Sequence, residues 1–75
     1  MKEFIQYISI NPDIRFGKPY IKGTRIALVD ILQWLASGMT HEEILEDFPD
    51  IKKEHIQAAL MYAAHREKII KMIAA

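Results

Sequence analysis

The sequence predicts a mainly α domain, a three-helix helix-turn-helix body with a short β-rich N-terminal arm. Three observations predict it. Up to residue 26 the chain is rich in β-branched and aromatic residues and punctuated by Gly and Pro. From Ala27 the apolar residues recur at three- and four-residue spacings. Gly38, followed by Thr40-His41-Glu42-Glu43, ends one helix and starts the next within a few residues. At 75 residues there is room for one domain, 1–75, with the arm over 1–26 and the helices over 27–75.

In the arm, Phe4-Ile5-Gln6-Tyr7-Ile8-Ser9-Ile10 reads as extended, and Asn11-Pro12-Asp13 as a turn. Ile14-Arg15-Phe16 has the composition of a very short strand. Gly17-Lys18-Pro19 turns the chain, Tyr20-Ile21 extends it, and Gly23 breaks it before Thr24-Arg25-Ile26. Strands this short are not stable alone, so they lie on the helices or pair with another chain. One edge is expected to be a dimer surface, with Tyr7 and Tyr20 at a partner or dimer interface.

In the first helix Leu28, Ile31, Leu32 and Leu35 form the apolar stripe, broadened by Val29 and Trp34. Trp34 is expected in the core or at a dimer interface rather than stacked on a base. Gly38 supplies the left-handed terminator. The second helix opens with a capping box: the Thr40 oxygen accepts from the amide three residues on, and Glu43 reaches back. Ile44, Leu45 and Phe48 face inward and Pro49 ends it. The third helix is expected from about Lys53 to about Ile73, with Ile56, Ala59, Leu60, Ala63, Ile70 and Ile73 as its stripe. Its start is poorly signalled, because Lys52 has no capping oxygen and two lysines oppose the helix dipole; Asp50 caps it if it begins early. The Ile69, Ile70, Met72, Ile73 cluster exceeds one stripe. Ile69 and Ile73 are therefore assigned to a partner or dimer interface, with packing on the N-terminal strand as the other option.

Ten basic and ten acidic residues cancel, so no global field draws the chain to a polyanion. The charges are nonetheless blocked: +3 over residues 1–25, −6 over 26–51 and +3 over 52–75. Such blocks either neutralise one another internally or present a basic face locally. The absence of cysteine removes disulfides, thiolate catalysis and cysteine-ligated zinc. Charged or polar residues interrupt every apolar stretch, so neither signal peptide nor membrane span is expected, and the location expected is cytoplasmic.

Enzyme motifs are incomplete. His41-Glu42-Glu43-Ile44-Leu45 begins like a zinc-protease helix but has Leu where the second histidine belongs. Gly17 to Gly23 has the wrong spacing for a phosphate loop, and no lysine-threonine pair follows. His41, His55 and His65 lack ligand spacing, and Ser9 and Ser37 have no base placed by sequence. The expectation is a protein without catalytic residues, cofactor or metal.

A helix-turn-helix instead points its last helix into a major groove by its first turns. The residues so placed are Lys52, Lys53, His55 and Gln57, with Ile56 and Leu60 turned inward. Lysine neutralises phosphate and glutamine can read adenine. Lys22 and Arg25 join them as candidate DNA contacts, although Arg25 can equally pair with Asp30 or with the acidic second helix. Gly17, Pro19 and Gly23 are expected to shape the backbone rather than bind. Glu42, Glu43, Glu46, Asp47 and Glu54 oppose phosphate.

Asn11-Pro12-Asp13-Ile14, then G-K-P-Y-I-K-G-T-R-I (17–26), I-L-Q-W-L-A-S-G-M-T-H-E-E-I-L-E-D-F-P (31–49) and I-Q-A-A-L-M-Y-A-A (56–64), resembles the domain-of-unknown-function 433 family over roughly residues 7–66. The resemblance implies a small homeodomain-like helix-turn-helix protein similar to VapB-type antitoxins. Its expected partners are a co-encoded PIN-like ribonuclease toxin, a second copy in a homodimer, and the promoter DNA of the pair. Two features depart from the pattern. Lys52-Lys53 replaces a Thr/Ser cap with proline, making the reading turn more basic. About nine residues follow Arg66, too few for a long toxin-wrapping tail. The alternative is a protein-interaction module that never touches DNA and docks its partner through the acidic block.

Overall fold

A computed structural model describes residues 2–66 of the chain, with side chains from Phe4 onward. Chain order is helix α1 (Lys2–Ile5), strand β1 (Ile8–Ser9), a tight turn at Arg15–Gly17, strand β2 (Tyr20–Ile21), then α2 (Leu28–Ala36), α3 (His41–Asp47) and α4 (Lys53–Ala64). The expected frame is present: three principal helices behind a two-stranded antiparallel N-terminal sheet. Ile8 pairs with Ile21 and Ser9 with Tyr20, and Tyr20 also bridges to Ala27 at the start of α2.

The core lies where the three helices meet the sheet. Ile21, Leu28, Ile31, Ile44 and Ile56 are fully enclosed, with Ile51 and Ala59 beside them. Trp34, Leu35, Leu45, Phe48 and Tyr62 close the periphery. Trp34 and Phe48 stack with ring centroids 3.8 Å apart, joining the end of α2 to the end of α3. Truncating any of the enclosed isoleucines removes about 2–5 kcal/mol, because the space left behind collapses only partly.

Each principal helix is capped backward by its third residue. Asp30 accepts the Ala27 N–H at 3.0 Å. Glu43 accepts the Thr40 N–H at 2.9 Å, while Thr40 Oγ1 accepts the Glu43 N–H, completing the expected box. At α4 the residue before the helix is Lys52, not Asp50, and His55 Nδ1 accepts the Lys52 N–H at 3.0 Å. Gly38, at φ +101°, terminates the α2 turn in the left-handed region as expected.

Several expectations about local structure are corrected. The start of the supposed Phe4–Ile10 strand is one helical turn, with only Ile8–Ser9 extended. Phe4 is buried and its ring lies 6.5 Å from that of His65, so docking on α4 outweighs β-propensity. Ile14-Arg15-Phe16 is not a strand: Arg15 and Phe16 have φ of +50° and +58°, followed by Gly17 at +78°. An ion pair holds this left-handed turn, Arg15 Nη2 donating to both Asp30 oxygens at 2.9 Å. Arg15 therefore occupies Asp30, and Arg25 does not. In α4, Leu60 and Ala63 are exposed while Ala58 is fully buried, since α1 packs on one flank of the helix and α2 on another. Val29 of α2 is likewise exposed. Regular geometry in α4 ends at Ala64, with His65 outside it; the rest of the expected helix, with Ile69 and Ile73, lies outside the described residues.

Candidate functional site

The strongest candidate surface is built on the first two turns of α4. Lys52 and Lys53 are exposed, and so is Gln57, four residues after Lys53 and hence on the same helix face. Lys53 and Gln57 border a groove of about 540 Å³ that runs to α1, with Phe4, Tyr7 and Met61 supplying its apolar surface. Glu54 lies along the same groove, so its electrostatics are mixed rather than purely basic.

His55 has a different role from the one expected. Its Nδ1 is occupied by the Lys52 amide, and its ring meets Tyr7 edge-on at 5.6 Å and 76°. An imidazole that accepts through Nδ1 carries its proton on Nε2. Partial burial lowers its pKa below the ordinary 6.5; the Glu54 charge pulls upward and the Lys52 charge adds to the lowering. His55 is thus a helix cap that positions the basic turn, not a free base-reading group.

Lys22 is brought toward this surface by the sheet. Its N–H donates to Tyr7 O at 2.9 Å, and Tyr7 carries His55 on its ring. Lys22 and Arg25 are both exposed on the loop between β2 and α2. Thr24 stiffens that loop by donating to Ile21 O and accepting the Ile26 N–H, and Gly23 takes φ +82°. Arg25 is placed on the loop without being drawn to α4 by any bond among the described residues.

Of the interface candidates, Tyr20 is buried within its own chain and offers no surface to a partner. Tyr7 is half-buried beneath His55, and Trp34 is half-buried against Phe48, which agrees with its core reading. The structure adds an unanticipated feature: Phe16 is 94% exposed at the crest of the left-handed turn. Its segment has the composition of a very short strand, and only the flanking Gly17 hinted at a turn.

The acidic block is largely on the surface. Glu42, Glu46 and Asp47 of α3 are exposed, whereas Glu43 is engaged in the cap and Asp30 in the Arg15 pair. Among the described residues no three His, Asp or Glu side chains are grouped to share a metal ion, and no helix is long and apolar enough to cross a membrane.

Comparison with known proteins gives one consistent result. The chain is 34% identical over 58 residues to the uncharacterized protein y4eO of Sinorhizobium fredii strain NGR234, an alignment covering 77% of this chain. It spans about a quarter (26%) of the length of that relative. The crystal structure of a DUF433 member protein from Anabaena variabilis superposes with a TM-score of 0.73 at 26% identity, covering 99% of this chain and 78% of that one. The profile of the family described as "Protein of unknown function (DUF433)" matches residues 8–63. The chain belongs to the DUF433 family.

Proposed function

We propose that this chain is the antitoxin of a type II toxin–antitoxin pair, binding a PIN-like ribonuclease and autoregulating the promoter as a DNA-binding homodimer. The observation that carries the DNA-binding half is the exposed Lys52-Lys53 turn with Gln57 one turn on, at the start of the last helix of a helix-turn-helix. Amides at such a terminus and two lysines favour phosphate, and Gln57 has the donor and acceptor needed for an adenine edge. The antitoxin half is supported by the family resemblance. In this reading the chain performs no catalysis, needs no cofactor and works in the cytoplasm.

The test is titration of the full chain against a labelled duplex from its own upstream region. Four lysines in a dimer give a salt slope of roughly −4 if each neutralises one phosphate. Lys52→Glu combined with Lys53→Glu should abolish binding while leaving the helical circular dichroism unchanged. Undiminished affinity in that variant removes α4 as the contact element. Co-expression with the adjacent reading frame tests the toxin half, through relief of growth arrest and co-elution of the two proteins.

The exposed Glu42, Glu46 and Asp47 favour a second reading, a docking module that binds no DNA. It predicts a partner complex that weakens on charge removal in α3 and no salt-sensitive retention of duplex.

A further inference from the structure

A second groove, of about 400 Å³, lies on the side of the molecule formed by α2 and the end of α4. Pro19, Val29, Leu32 and Tyr62 give it an apolar lining, and Lys18 and Arg66 bring two positive charges to it. Lys18 and Arg66 are exposed, and among the described residues neither has a carboxylate partner. Among the described residues no acidic side chain lines the groove, in contrast to the α1–α4 groove with its Glu54. Val29 is left 38% exposed beside it, although the helical stripe marks that position for burial.

We propose that this groove docks an acidic amphipathic segment of a partner protein, with apolar side chains in the groove and carboxylates on Lys18 and Arg66. Apolar floor plus unpaired cations is the complement of a helix carrying anchors at three- and four-residue spacing and acidic flanks. The chain's own sequence does not supply that segment. Residues 67–75 carry Lys68 and Lys71 against the single Glu67, so their composition is not that of an acidic segment. Helix α3 is acidic, but its apolar face, Ile44 with Leu45, is already committed to the core. A second copy therefore brings no matching element, and charge selects a foreign acidic segment. The inference stands apart from DNA binding, since the groove shares no residue with the first turns of α4.

The test uses the full chain and two fluorescein-labelled 15-residue helical peptides, both with leucine at every third or fourth position. One carries glutamate at the flanking positions and the other lysine. The glutamate peptide should bind at least tenfold more tightly in fluorescence polarisation. Lys18→Glu with Arg66→Glu, both exposed positions, should reverse that preference, and Val29→Gln should weaken both peptides. Equal binding of the two peptides, or a preference untouched by charge reversal, overturns the proposal. So does a wild-type dimer that dissociates on Val29→Glu in sedimentation equilibrium, because it would place a second copy in the groove.

Discussion

Protonation of His55 should measurably loosen α4. Three residues cap the helices backward, Asp30, Glu43 and His55, and His55 is the imidazole among them, the side-chain type that switches charge near neutrality. Its Nδ1 accepts the Lys52 N–H only when unprotonated, and a positive imidazolium also opposes the dipole at a helix start. The folded pKa is lowered, so the sign is fixed. The stabilisation is fully present above the unfolded value of about 6.5 and is lost as pH falls through 6.5 toward the folded pKa. One hydrogen bond of this kind contributes about 1 kcal/mol, which moves the melting temperature of a domain this size by about 4–8 °C. The informative comparison is wild type against His55→Gln, whose side-chain oxygen can accept the same amide without titrating. Losing the edge contact with Tyr7 lowers the variant by about 0.5–1.5 kcal/mol at all pH values. Thermal melts from pH 8 to pH 5.5 should show wild type losing about 1 kcal/mol more than the variant. All other side chains are common to the two proteins and cancel in the difference. Parallel curves would refute the capping role.

Asp30→Ala removes the cap of α2 and the anchor of Arg15 together, and should cost about 2 kcal/mol in urea denaturation. A loss below about 0.5 kcal/mol would show that neither bond matters. Phe16→Gly should stabilise the chain by about 0.5–1 kcal/mol, because the position sits at φ +58° and buries almost nothing; a destabilised variant would mean that the phenyl ring holds the turn. Ile56→Ala should cost about 2–5 kcal/mol by the same measurement, against less than about 1 kcal/mol for Leu60→Ala. Similar losses at the two positions would contradict the observed orientation of α4. Gly38→Ala meets no neighbouring atom, so its expected cost of about 1 kcal/mol is backbone strain alone.

What local pattern encodes was legible in the sequence. Gly38, the Thr40–Glu43 box, the stripe through Leu28 and Ile31, and the enclosed Ile44 and Ile56 all follow from spacing within one or two turns. What depends on a distant partner was not. Phe4 is helical because the end of α4 and His65 offer it a site some sixty residues later, and Arg15 takes a left-handed conformation because Asp30, fifteen residues away, holds it there. Leu60 outranks Ala58 in hydrophobicity, yet α4 buries Ala58; a helix with two neighbours favours a small residue where they come close. On the candidate surface the exposure of Lys52, Lys53 and Gln57 matched expectation, whereas the capping role of His55 required the amide and Tyr7 to be seen together.

The Arg15–Asp30 joint also bears on how the molecule opens. Asp30 belongs at once to the left-handed turn and to the first turn of α2, and the amides of Ile21, Lys22 and Leu28 bind acceptors on segments that these two elements hold in place. The arm and the start of α2 are thereby one cooperative unit rather than a loose appendage and a helix. Under native conditions those amides and that of Ala27 should exchange with solvent hydrogen at a common free energy. Asp30→Ala should then accelerate all of them together, leaving the inner amides of α4 comparatively protected.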